Sequence, residues 1–119
     1  LTIKGQFEEL VEVYCTSRIR AKSPQEMAIG KPWTESDLTM FTIKGLMEFL
    51  RNRGFRELKR PQVQQRLKDM NGGNECNTTY KFKDEDTGQW KNLRVWFVPE
   101  FDNDEMELPT EEKLNDIPF

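Results

Sequence analysis

The chain divides at Pro99, and that division decides where a core can form. Residues 100–119, EFDNDEMELPTEEKLNDIPF, show neither helical nor strand periodicity and carry eight acidic side chains against Lys113 alone. Residues 1–99 carry 17 basic and 13 acidic side chains, so the net charge of −3 conceals a basic body joined to an acidic tail. Blocks of like charge repel one another, and acidic ends of this kind commonly serve as interaction segments. The core must therefore come from the Phe, Trp, Leu, Val and Ile of the body, enough chain for one domain. We expect a domain over 1–99 and a tail over 100–119.

Periodicity places the elements of the body. Phe7, Leu10, Val11 and Tyr14 recur at i, i+3, i+4 and i+7, which predicts an amphipathic helix over Gln6–Arg18. Residues 21–37 read as a connection. Within it Ser23-Pro24 can open one helical turn through Met27, and Trp33 reads as an anchor on the body. The tetrapeptide Thr2-Ile3-Lys4-Gly5 recurs as Thr42-Ile43-Lys44-Gly45. The flanks do not repeat, so the recurrence reads as chance. A short strand is expected at Thr39–Phe41, then a helix with Ile43, Leu46, Phe49 and Leu50 on one face, stopped by Gly54. Pro61 suits the first turn of another helix, to Met70, with Val63, Leu67 and Met70 inward. Thr78–Lys83 and Leu93–Val98 then form a β-hairpin around the polar loop Asp84–Gln89. Trp90 and Trp96 read as core or cross-strand packing. The expected fold class is α+β, with about three helices and a C-terminal hairpin.

Several chemistries find no residues to carry them. The chain has no His, so neither a Ser-His-Asp triad nor a His metal site can be assembled. It has no phosphate-cradling GxxxxGK[ST] loop and no GxGxxG. Asp84-Glu85-Asp86 and Asp102-Asn103-Asp104-Glu105 lack the spacing of a calcium loop and read as a solvated turn and tail. Cys15 and Cys76 are isolated, which favours reduced thiols in a cytoplasmic setting. No stretch has the length and apolarity of a membrane span, and no signal peptide is visible. Leu1 in place of Met is compatible with a fragment of a longer protein. We expect no enzyme activity, no cofactor, no bound metal and no membrane association.

Positive charge gathers in two places. Between Arg51 and Met70 stand Arg51, Arg53, Arg56, Lys59, Arg60, Arg66 and Lys68, against Glu57 and Asp69. The hairpin adds Lys81, Lys83, Lys91 and Arg94. A solvated basic face is the ordinary reading of such residues. Their excess in a chain that is acidic overall points instead to phosphate contact. Gln62 and Gln65 add side chains able to reach base edges. Roughly five phosphate contacts would give a log-affinity against log-salt slope near −4 to −5 on B-DNA.

Two resemblances follow from particular residues. Lys31-Pro32-Trp33, Phe49-Leu50, Phe55, Leu58-Lys59, Val63, Leu67, Gly72-Gly73 and Val95-Trp96-Phe97-Val98-Pro99 together resemble the C-terminal region of phage and plasmid primase-helicases. That likeness covers about residues 18–99 and implies a winged-helix-like domain in a DNA replication protein. It departs from the full pattern in having one helix, not two, between Phe55 and the hairpin, so Gln6–Arg18 would serve as a third helix in non-standard wiring. The ATP and primase motifs of that family are absent and would lie upstream of Leu1. The tip Asp116-Ile117-Pro118-Phe119, with its acidic lead, is similar to the tip of bacterial single-stranded-DNA-binding proteins, save that Asn115 stands where that family usually has Asp. Such a tip implies docking onto replication and repair proteins, or folding back on its own DNA site. A terminal Phe offers a ring and a carboxylate together, and Pro118 restricts the backbone beside it.

The expected function is thus nucleic-acid binding, with DNA as partner, in a phage or mobile-element replication protein located in the cytoplasm of a host cell. The tail would recruit replication partners or compete with DNA for the basic face. Two alternatives stand beside this reading. One is a protein-interaction module working through the tip. The other is a single-stranded-DNA-binding protein, which would require a five-stranded barrel where only one hairpin is evident.

Overall fold

The computed structural model describes residues 2–17 and 20–101. They form an α+β structure of three α-helices, a short 3-10 segment and a four-stranded antiparallel sheet. In chain order these are α1 (Ile3–Thr16), the 3-10 segment (Pro24–Ile29), β1 (Trp33–Glu35), β2 (Leu38–Phe41), α2 (Ile43–Asn52), α3 (Arg60–Met70), β3 (Asn77–Lys83) and β4 (Trp90–Pro99). The sheet order is β1-β2-β4-β3, so β2 and β4, far apart in sequence, are its central pair.

Local chemistry explains where the helices begin and end. Thr2 accepts a hydrogen bond from the Gly5 amide at 2.9 Å, and Thr42 accepts one from Gly45 at 3.0 Å. Both threonines are extended N-caps, which satisfy donors that the first turn leaves unpaired. The repeated Thr-Ile-Lys-Gly, read as chance in the sequence, thus serves as a helix cap at both places. It starts α1 at Ile3, earlier than the expected Gln6. At the other end of α2, Gly54 (φ 79°) donates to Arg51 O at 2.9 Å and Phe55 donates to Leu50 O at 2.9 Å. That pair of bonds is a Schellman stop, and it turns Phe55 back into the core. The same two bonds, from Gly72 and Gly73 to Asp69 and Lys68, close α3.

The helices cover one side of the sheet. Phe7, Val11 and Tyr14 of α1, Leu46 and Leu50 of α2, and Val63 and Leu67 of α3 are buried with Phe41 and Val98 of the central strands. Each of these side chains contributes about 1.5–3 kcal/mol by leaving water. Tyr14 lies edge-on to Phe41, with centroids 5.6 Å apart, and gives its hydroxyl proton to Gly30 O at 2.6 Å. The other side of the sheet is covered by the 3-10 segment. Met27, Met40 and Val95 are buried there, with Trp33, Tyr80 and Leu93 packed against them.

Three expectations change. The connection at 21–37 contains β1, and its two-residue turn Ser36-Asp37 takes positive φ of 53° and 67° at both positions. Positive φ at both central residues is the geometry that matches strand twist in tight hairpins. Trp90, expected to pack, is 72% exposed, whereas Trp96 is half-buried against the core as expected. Asp84, expected in a solvated turn, is only 8% exposed. A single helix, α3, separates Phe55 from the hairpin as anticipated, and its neighbour in space is α2 rather than a remote element. The described residues hold four strands in an open sheet, not the five of a closed barrel. Among them no helix is long and apolar enough to cross a membrane. The tail beyond Phe101, with Asp116, Ile117, Pro118 and Phe119, lies outside the described residues.

Candidate nucleic-acid interface

A groove of about 450 Å³ opens where the first turns of α2 and α3 meet the hairpin β3–β4. Lys44 lines it from α2, Arg60 and Gln64 from α3, Asn77 from β3, and Arg94 and Trp96 from β4. Arg60 and Gln64 are four residues apart on α3, so helical geometry puts them on one stripe. Lys68 continues that stripe but is tied to Glu75 at 3.2 Å. None of the described lining residues is acidic. Among the described residues neither Lys44 nor Arg60 has an ion-pair partner. Each helix start also brings the positive end of its backbone dipole to the groove.

Strand register extends this surface along the hairpin. Asn77 pairs with Trp96, Thr79 with Arg94, Lys81 with Asn92, and Lys83 with Trp90. Directly paired residues share a face, so these eight side chains stand on the side that carries the helices. Arg94 reaches Thr79 Oγ1 at 3.5 Å, in keeping with that pairing. The opposite face holds Tyr80, Phe82, Leu93 and Val95, the apolar set above the 3-10 segment.

The basic residues singled out in the sequence fall into three groups. Arg60, Lys81, Lys83 and Arg94 belong to the groove and the hairpin face continuous with it. Lys91 stands on the opposite face with its ammonium 2.7 Å from Asp84 Oδ2. The remainder surround α2 and α3. Arg51 is exposed in the last turn of α2, and Arg53 lies 4.9 Å above the Phe49 ring. Arg56 and Lys59 are exposed in the link, and Arg66 is half-buried on α3. Gln62 accepts the Lys59 amide at 2.8 Å and Gln65 donates to Asp69 at 3.1 Å, so both glutamines are engaged on α3 itself. Lys44, Gln64 and Asn77 were not singled out. The Thr-Ile-Lys-Gly repeat was the available signal for Lys44, since it places a lysine in the first turn of a helix.

Two carboxylates fix the hairpin. Glu35 accepts from Tyr80 Oη at 2.5 Å and from Trp33 Nε1 at 2.8 Å. The Tyr80 bond, then the Trp33 bond, hold the Glu35 carboxyl below its usual range. Burial, then the same bond to Glu35, pushes the Tyr80 hydroxyl up to about 12. At the hairpin turn, Asp84 is held low by Lys91 first and by the Asp86 amide second. The Glu85 amide donates to Gln25 Oε1 at 2.9 Å, which ties the turn to the 3-10 segment. Cys15 and Cys76 are free, buried thiols whose ionisation burial opposes, so they act as apolar packing.

Compared with known proteins, the chain matches no family profile, no curated protein and no solved structure.

Proposed function

We propose that the body is a winged-helix-like nucleic-acid-binding domain of a phage or mobile-element DNA replication protein. The observation that carries the binding role is the convergence of Lys44, Arg60 and Arg94 on one groove with no acidic residue among its described lining. A polyanion entering there meets three cations and two helix starts, and releases its own counterions. The order helix, hairpin, helix, helix, hairpin, in which β2 of the first hairpin pairs with β4, supports the winged-helix reading, with β1 as an additional edge strand. On that reading α2 and α3 form the helix pair, and the hairpin is the wing. Lys91 is left outside the proposed surface. The replication context rests on the two sequence resemblances. In the same reading the chain is a binding module without catalysis, and the acidic tail recruits replication partners or competes for the groove.

The test replaces Lys44, Arg60 and Arg94 with Gln together and measures the binding of labelled DNA by fluorescence anisotropy across a salt series. Each lost phosphate contact removes about 0.7–0.9 from the slope of log affinity against log salt, so the triple variant should lose about 2–3. An unchanged slope would remove the groove from the binding surface. Absence of DNA binding by the unaltered chain would leave protein docking through the tail as the reading to pursue.

A further inference from the structure

We propose that this surface selects single strands: one unpaired nucleotide seats in the groove against Trp96, and the strand runs along the hairpin face to stack a base on Trp90. This rests on the nucleic-acid-binding reading and adds the strand class. Trp90 is an indole left 72% exposed, beside Lys83 in strand register. An exposed aromatic beside a cation is what a free base face can use, because every base has a π-face and every phosphate a charge. In a duplex those faces are hidden in the stack, and only base edges and phosphates remain outside.

The groove has the size of a site for a single nucleotide. Its volume of about 450 Å³ lies in the lower half of the range of about 300–1,000 Å³ common to small-molecule sites. That is room for one nucleotide. Gln64 and Asn77 supply amides, able to donate and accept, beside the ring of Trp96. Between the tryptophans, six residues apart on β4, a strand covers about 20 Å. Arg94 and Asn92 lie between them on that face, with Lys81 and Lys83 across on β3. The track therefore has a ring at each end, with cations and an amide between them.

The experiment uses the full chain with three labelled probes of equal length: a thymidine oligomer, a uridine oligomer and a DNA duplex. Anisotropy gives the affinities, and intrinsic tryptophan emission reports stacking. At least one single strand should bind ten times or more tighter than duplex and quench the emission. Which oligomer binds better identifies the sugar the surface prefers. Trp90→Ala should weaken single-strand binding roughly five- to 150-fold, the equivalent of losing one stacked base, and Trp90→Phe should recover most of it. Duplex binding as tight as single-strand binding overturns the strand assignment but leaves the nucleic-acid reading in place. So does a Trp90→Ala chain that binds single strands as before. Failure of all three probes overturns both. Because Trp90 is exposed, its replacement leaves the core untouched.

Discussion

At the scale of single residues, Gly45 shows how a capping signal and a packing constraint can occupy one position. Its amide is the donor that Thr42 caps. A Cβ at Gly45 would stand 2.7 Å from Gly30 Cα, 2.9 Å from Gly30 O and 2.9 Å from the Tyr14 hydroxyl. Alanine improves helix propensity over glycine by about 1 kcal/mol. Overpacking costs about 1–3 kcal/mol, and two of the three atoms met are backbone, so little can yield without moving the 3-10 segment off α2. The clash should win. Gly45→Ala is expected to lower the thermal midpoint by about 5 °C or more, the equivalent of about 1 kcal/mol in a domain this size. An equal or higher midpoint would show that the segment can shift freely. The cap was legible in the sequence as a repeated tetrapeptide, yet its meaning was not. Capping needs only the Thr and a helical turn after it, so the dissimilar flanks of the two copies carried no information against it. The close approach of Gly30 was not legible at all, because it joins residues brought together by tertiary packing.

At the scale of elements, the helices were read well because their apolar stripes are also their buried faces. Phe7, Val11 and Tyr14 of α1 and Val63 and Leu67 of α3 lie inside, as their spacing requires. The hairpin β1–β2 escaped because Ser36-Asp37 lacks the glycine that usually marks such a turn, and because β1 has only three residues. Its stability comes from β4 alongside and from the Glu35 bonds to Tyr80 and Trp33, which no local pattern announces. The site was half legible for a similar reason. Charge density marked α3 and the hairpin, but only the packing shows that the stripe of Arg60 and Gln64 faces Arg94, and that Lys91 faces away. The two carboxylates that fix the hairpin make its attachment pH-dependent. Both have folded pKa values below their ordinary 4.5 and 3.8. A lowered folded value means that the stabilisation is fully present above the ordinary value and is lost as pH falls through the folded one. Urea midpoints should therefore decline below about pH 4.5 in the unaltered chain, and decline less in Glu35→Gln. Parallel declines would show that the Glu35 bond adds nothing to stability.

At the scale of the whole molecule, the sequence separates charge along the chain as well as around the surface. The last described strand ends at Pro99, where the acidic residues begin, and the Glu100 amide is held by Asp37 O at 2.9 Å. The tail is thus joined to β4, which carries Arg94, beside β3, which carries Lys81 and Lys83. Eight carboxylates are joined covalently to a surface whose cations Lys81, Lys83 and Arg94 have no ion-pair partner among the described residues, so any action on that surface is independent of protein dilution. On the proposed reading they would raise the free energy of an approaching polyanion by repulsion and compete for the same ammonium and guanidinium groups. If the groove takes phosphate, a chain ending at Pro99 should bind DNA more tightly than the full chain at low salt. The advantage should shrink as salt rises, because screening weakens tail and phosphate contacts alike, with a Debye length of about 10 Å at 0.1 M. Anisotropy of the two chains over a salt series separates the possibilities. Converging lines with the shorter chain above mean that the tail is an internal competitor of the groove. Coincident lines mean that the tail's charge does not reach the groove, and they return it to the role of a docking segment for basic partners.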